Sequence, residues 1–239
     1  MNARQYSMIH VYSHQASETT VKKTKPSMQR RRLGNQLYDI LRERIAGYRF
    51  LASKKIDLEL LTQELEVSRP PLWEAVCRLE QEGLVEIKPN RGVYVVEFSW
   101  QDAAELYMVR GSLEALASRL AVKRMTPVDF AGMAMCLEEH RELVSDGDWQ
   151  RFSPMDHQFH QIFYASGGRH LRDALESIKI KLGTIHLDIQ PLLGDLYDQH
   201  VRIHQALENR DEPAAVEAVL VHNRYMENYC LGMIDRGEQ

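Results

Sequence analysis

Apolar residues begin to recur at helical spacing near Leu33, where Leu37, Ile40, Leu41 and Ile45 form one stripe and Gly47 offers a stop. Asp57 is a good N-cap for a second helix carrying Leu58, Leu61 and Leu65. Ser68 is the N-cap candidate of a third, because Pro70 and Pro71 then fall in the first turn, where a missing N–H is harmless. Leu72, Val76 and Leu79 keep its apolar face until Gly83. The period then changes from helical to extended. Leu84–Ile87 and Val93–Val96 flank a turn at Lys88-Pro89-Asn90-Arg91-Gly92, which reads as a β-hairpin. Three helices followed by a hairpin within about 65 residues predict a winged helix-turn-helix.

From Ser99 the strand signals stop. Ser99 with Asp102 has the form of a capping box, opening a helix with Leu106, Val109, Leu113, Leu116 and Leu120 on its stripe. Thr126-Pro127-Val128-Asp129 opens another, with Phe130, Met133, Leu137 and Leu143-Val144. Further helical segments are expected near 149–165, 170–189, 195–208 and 212–233. The expected fold is therefore mostly α: a winged helix-turn-helix over 33–97 and an all-helical bundle of six or seven helices over 98–235. Residues 1–32 have no apolar periodicity and read as a basic arm, with Lys22, Lys23, Lys25, Arg30, Arg31 and Arg32 near its end.

Composition adds exclusions. The 239 residues are 44% hydrophobic and 27% charged, the balance of a globular chain rather than a disordered one. No apolar run is long enough to span a bilayer, and the N-terminus lacks the apolar core of a signal peptide. Cys77, Cys136 and Cys230 are widely spaced, with no CxxC pair, so a reduced, cytoplasmic protein is expected. The net charge of -4 hides an asymmetry: residues 1–98 hold 16 Lys+Arg against 12 Asp+Glu, and the remainder 14 against 22. Only the front half is therefore suited to a polyanion such as double-stranded DNA.

In a helix-turn-helix, the N-terminal end of the second helix of the motif meets base edges and phosphates. That end here presents Ser68, Arg69 and Pro70, and Arg69 can fork onto a guanine or a phosphate. The wing adds Lys88, Asn90, Arg91 and Gly92. A winged helix can also serve as a protein-docking module. The runs V-S-R-P-P-L-W-E-A-V (67–76), L-E-Q-E-G-L-V (79–85) and P-N-R-G (89–92) resemble the GntR family of bacterial transcription regulators, whose pattern is V-S-R-T-P-V-R-E-A-L, R-L-E-x-E-G-L-V and P-N-R-G. Two departures stand out. Trp73 and Glu59 occupy positions where the family often carries arginine, so weaker phosphate contacts or a changed operator preference are expected.

The back half holds the more chemical pattern. Asp156 and His160 stand one turn apart on a face shared with Phe152, Phe159 and Phe163, which points inward. His200 lies on the stripe Leu196, Ile203, Leu207, and His222 on the stripe Ala215, Val219, Met226, Tyr229. A carboxylate and three imidazoles from three helices can converge on one ion. Such an N/O set suits a divalent transition metal (Zn, Ni, Mn or Fe) rather than Ca²⁺. Taken singly, each histidine is better explained as a hydrogen-bonded core residue; it is the four inward groups together that point to a metal. His204 competes with His200 but sits on a more polar face; His140, His157, His170 and His186 lack the same placement. Arg110 flanks the stripe at Leu106 and Leu113, where it can bind a carboxylate bidentately or pair with Glu114 one turn on.

Residues 99–235 further resemble the FCD ligand-binding domain of the FadR/VanR branch of that family. The matching motifs are D-x-x-x-H at Asp156–His160, two later histidines at 200 and 222, and V-R-x-x-L-E at 109–114. The resemblance implies a metal that helps hold a small carboxylate effector, with Arg110 as the acid's partner. Gly168 stands where the family has Asn, removing one polar group. The expected protein is a homodimeric DNA-binding regulator, and a repressor by the family's commoner behaviour, whose operator affinity responds to a small organic acid. The rival class is a metalloenzyme acting on an acid or ester and using the winged helix for docking.

Overall fold

In a computed structural model of the chain, the described residues are 28–46, 54–185 and 187–237. Helix α1 (Met28–Ala46) starts five residues before Leu33; Lys22, Lys23, Lys25 and Gly47 lie outside the described residues. It is followed by β1 (Lys55–Ile56), α2 (Leu58–Glu64), α3 (Arg69–Gln81), β2 (Val85–Lys88) and β3 (Gly92–Val95). The sheet has the order β1-β3-β2, antiparallel throughout, so the hairpin gains a third strand that periodicity did not suggest. Two residues carry no pattern; β1 exists because Ile56 pairs with Val93 and buries its side chain.

Asp57 caps α2 as expected, accepting from the N–H groups of Glu59 and Leu60. Ser68 takes the extended N-cap conformation at α3 but makes no side-chain cap. The reason is chemical. The N–H groups that a cap would accept belong to the second and third helical residues, here Pro70 and Pro71, and neither has one. The Ser68 hydroxyl is left exposed at the end of α3. The wing turn needs left-handed backbone, supplied by Asn90 at φ 59 and Gly92 at φ 121. A Cβ on Gly92 would lie 2.6 Å from Lys55 Cε, a contact the flexible lysine chain can relieve, so it is the positive φ that favours glycine here.

The remaining six helices form the bundle: α4 (Trp100–Arg124), α5 (Pro127–Asp146), α6 (Trp149–Tyr164), α7 (Arg169–Leu182), α8 (Leu193–Glu208) and α9 (Glu212–Asp235), with short 3₁₀ turns at Ala165–Gly167 and Gln190–Leu192. Both expected capping boxes form, Ser99 with Asp102 and Thr126 with Asp129. The segment expected at 170–189 ends as a helix at Leu182, and Gly183 takes the C-cap. The two parts share a seam. Ile180 of α7 is buried among Leu37, Leu41 and the other core residues of the winged domain, so the bundle helix and the DNA-type domain pack as neighbours. No helix among the described residues is long and apolar enough to cross a membrane.

Candidate metal and effector site

The four residues singled out by their inward placement meet. Asp156 and His160 project from α6, His200 from α8 and His222 from α9, and one ligand atom from each lies within 4.8 Å of the others. His160 Nε2 is 3.3 Å from His200 Nε2, and His200 Nε2 is 3.3 Å from Asp156 Oδ1. Bonds of roughly 2.0–2.1 Å in tetrahedral geometry put ligand atoms about 3.3–3.4 Å apart, so these separations fit a first-row ion. The three histidines are 0–1% exposed, and the helix faces carrying them are closed by Phe152, Phe159 and Phe163, each at 0%.

Two of the rings turn their outer nitrogens toward side-chain oxygens. His222 Nδ1 is 2.9 Å from Gln199 Oε1, and His160 Nδ1 is 3.1 Å from Glu114 Oε1. The Gln199 hydrogen bond orients the His222 ring in the way metal-binding imidazoles are held, whereas His160 Nδ1, despite standing near Glu114, and His200 Nδ1 are buried without a hydrogen-bond partner. Burial pulls His160 down to about 4, only partly opposed by Glu114, and pulls His222 well below its ordinary range. Burial would raise Asp156, but Lys179, whose Nζ donates to Asp156 Oδ2 at 2.8 Å, and the adjacent imidazoles hold it well below the carboxylate range. Neutral His160 and His222 beside an ionised Asp156 are protonation states that suit a cation.

Arg110 is buried at 3% exposure, and its Nε donates to Glu114 Oε1 at 2.9 Å and to Tyr164 Oη at 3.4 Å. Of the two roles weighed for it, the pairing with Glu114 is formed through Nε, while Nη2 is buried without a partner. Glu114 is a hub. It also accepts from the Tyr164 hydroxyl and from Asn223 Nδ2, and Arg110 together with His160 keeps it ionised despite burial that would raise it. Beside the cluster a cavity of about 60 Å³ is lined by Tyr107, Arg110, Asp156, Lys179, His222 and apolar residues including Leu182 and Leu196. At roughly 10–15 Å³ per water-sized site, it takes a few waters or one small molecule.

Other placements differ from expectation. His140, set aside on sequence grounds, is 0% exposed, stacks on Phe152 at 4.6 Å and lies tilted against the His200 ring at 5.3 Å, so it adjoins the cluster. His204 is buried too, but its Nε2 turns to the Phe130 carbonyl at 3.3 Å, away from the cluster. His157 pairs with Glu176, His170 is exposed, and His186 lies outside the described residues. Gly168 does not line the cavity; at φ 81 it is the N-cap of α7. Glu114, Lys179, Gln199 and Asn223 were not recognised as part of the site. Only Glu114 left a trace, as the residue one turn from a flanking arginine.

At the other end of the molecule, Ser68, Arg69 and Pro70 stand exposed at the start of α3, and Asn90 and Arg91 are exposed at the tip of the wing. Lys88 and Gly92 are half-buried at the base of that turn. A groove lined by Lys55, Glu59, Thr62, Arg69 and Gly92 runs between α2, the start of α3 and the wing. Trp73 sits one turn into α3 with 37% of its surface exposed.

A winged helix-turn-helix joined to a helical bundle with a buried histidine cluster defines the class: a two-part transcription regulator. The comparisons agree. The family model "Bacterial regulatory proteins, gntR family" matches residues 33–95, and the FCD domain model matches residues 105–225. The chain is 30% identical over 180 residues to the Nta operon transcriptional regulator of Aminobacter aminovorans, covering 74% of this chain and 84% of that one. It is 26% identical over 209 residues to the HTH-type transcriptional repressor RspR of Escherichia coli, covering 86% and 89%. E. coli McbR/YncC shares the fold with a TM-score of 0.76 at 20% identity, over 84% of this chain and 98% of that one. The chain belongs to the GntR family and carries an FCD domain; it is a transcriptional regulator and not an enzyme.

Proposed function

We propose that this regulator binds operator DNA as a homodimer and acts as a repressor released by a small organic acid, which it senses at a divalent-metal site in the bundle. The observation carrying this is the convergence of Asp156, His160, His200 and His222 beside a cavity into which Arg110, with an unpartnered Nη2, also opens. The four side chains would hold the ion, which supplies Lewis-acid attraction for a carboxylate oxygen. Arg110 binds the acid's other oxygen or a second carboxylate through the nitrogens that Glu114 leaves free. Tyr107 and Leu196 exclude water, and the cavity volume limits the ligand to a short acid rather than a fatty chain. Asp156 is tied by Lys179 to α7, and the next residue of α7, Ile180, is part of the winged domain's core. A ligand that prefers one position of α7 shifts the placement of α3 by that preference, typically about 1–3 kcal/mol.

On DNA, the exposed start of α3 enters the major groove with Ser68, Arg69 and Pro70 leading, and the wing places Lys88, Asn90, Arg91 and Gly92 along the backbone. The test is fluorescence anisotropy with the promoter duplex beside the protein's own gene and with a random duplex. It is run with and without chelator and a panel of two- to six-carbon acids. Selective, salt-dependent binding weakened by one acid is expected, and that response should vanish in His200→Ala while the variant stays folded by circular dichroism. Equal binding to both duplexes, or an acid response untouched by chelator and by His200→Ala, overturns the proposal.

A further inference from the structure

Helix α3 gives Pro71, Leu72, Ala75, Val76 and Leu79 to the core of the winged domain, which turns the opposite arc outward. Arg69, Pro70 and Trp73 are exposed on that arc, and Cys77 continues it, half-buried, one turn on. Basic side chains are scarce along it. Arg78, the next cation of the helix, is drawn back to α1, where its Nη1 donates to Asn35 Oδ1 at 2.8 Å and the guanidinium lies 3.8 Å from the centre of the Tyr38 ring. The outward arc therefore offers one cation, Arg69, followed by an apolar surface whose largest member is an indole. Trp73 is 37% exposed and makes no hydrogen bond among the described residues. The surface is continuous with the DNA-facing start of α3, so the occupant that fits it is the floor of the major groove.

An indole carries one N–H donor, no acceptor and an apolar ring. In the major groove, thymine presents one acceptor, O4, beside its C5 methyl, and that methyl is the apolar group of the base edges. Cytosine presents a donor, which an N–H opposes, and guanine presents acceptors with no methyl. Thymine is the edge that answers both parts of the side chain. Trp73 follows Arg69 by one helical turn, a rise of about 6 Å along the axis. Bases are stacked about 3.4 Å apart, so the matching thymine lies about two base pairs from a guanine held by Arg69.

We infer that Trp73 is a specificity-determining residue of the DNA interface: its ring packs on a thymine methyl in each operator half-site, and its Nε1–H donates to O4 of the same base. The inference rests on the operator binding of the proposed function and names a base that the operator contains. An arginine at position 73 exchanges this contact for charge, gaining affinity at low salt while losing the thymine preference. The test selects bound sequences from a random duplex pool with the full chain, then measures anisotropy on the selected operator. Each thymine is replaced in turn by deoxyuridine, which removes the methyl and keeps the pairing edge. For wild type, one thymine per half-site should stand out, with binding about fourfold weaker for each methyl removed. Replacing that base pair by C·G should weaken binding about tenfold or more. Trp73→Ala, folded by circular dichroism, should bind the thymine and deoxyuridine duplexes alike. Trp73→Phe should keep the methyl preference but lose the preference for thymine over 5-methylcytosine, which carries the same methyl beside a donor. Selected operators with no thymine near the guanine, or a methyl effect equal in wild type and Trp73→Ala, would overturn this assignment while leaving operator binding intact. A pool that yields no enriched sequence would overturn both.

Discussion

The substitution Glu114→Gln probes the buried network most directly. It keeps the shape of the side chain and removes the charge. In the native chain Glu114 is 0% exposed and satisfies Arg110, Tyr164 and Asn223 while standing 3.1 Å from His160 Nδ1. Gln removes Arg110's anionic partner and leaves a guanidinium at 3% exposure uncompensated. Breaking a buried pair on one side costs about 3–5 kcal/mol. That is a large part of the roughly 5–15 kcal/mol by which a domain is stable, and corresponds to a Tm lower by about 10 °C. Removing both charges behaves differently, because an apolar pair of similar volume can replace a buried ion pair at little cost. Urea unfolding of metal-free protein, followed by circular dichroism, should therefore show Arg110→Met/Glu114→Gln to be less destabilised than Glu114→Gln alone. The single variant should also regain stability in millimolar acetate or another short carboxylate, which supplies the missing anion. A loss under about 1 kcal/mol for the single variant, or strictly additive effects, would refute the assignment of Arg110 and Glu114 as a desolvated pair.

Two further outcomes follow from the same structure. His140 and His160 each titrate near 4 in the folded chain against an ordinary value of 6.5, chiefly because burial disfavours the charged ring. The folded state binds fewer protons, so their contribution is complete above about pH 6.5 and is lost as pH falls toward 4. The loss is on the order of 3 kcal/mol for each ring. Chemical denaturation of metal-free protein at pH 7.5, 5.5 and 4.5 should show that decline, and a flat profile would mean that the rings are hydrated. At the DNA end, Trp73→Arg restores a cation on an exposed turn of α3. Operator binding should tighten at low salt, and the slope of log K against log salt should steepen by about 0.9. An unchanged slope would place position 73 off the phosphate backbone.

How much of this was legible in the chain depends on the range of the interaction involved. Helices α2 to α6, α8 and α9 could be read from periodicity and caps because those signals act over one turn; Asp57, Ser99 and Thr126 each bind N–H groups two or three residues away. The convergence of Asp156, His160, His200 and His222 was legible for a related reason: each sits on an apolar stripe of its helix, so inward direction could be inferred without knowing the neighbours. Ser68 shows where a local rule yields to local chemistry, since its cap partners are prolines.

What supports those ligands could not be read. Asn223 reaches Glu114 across 109 residues, Lys179 reaches Asp156 across 23, and the His140 ring packs against that of His200 from a helix far along the chain. Strand β1 has no pattern of its own and exists only because β3 offers it a ladder. The sequence by itself determined which backbone segments are helical and, on α6, α8 and α9, which side chains turn inward, because backbone geometry acts residue by residue. On α4 it misled, since Val109 and Leu116 of the expected stripe are exposed and the small residues beside Arg110 and Glu114 form the buried face. The tertiary structure alone decided which buried charges are paired, which ring nitrogen faces the cluster and which helix face stays uncovered. Those outcomes depend on helix crossings, and no local pattern encodes where two helices will cross.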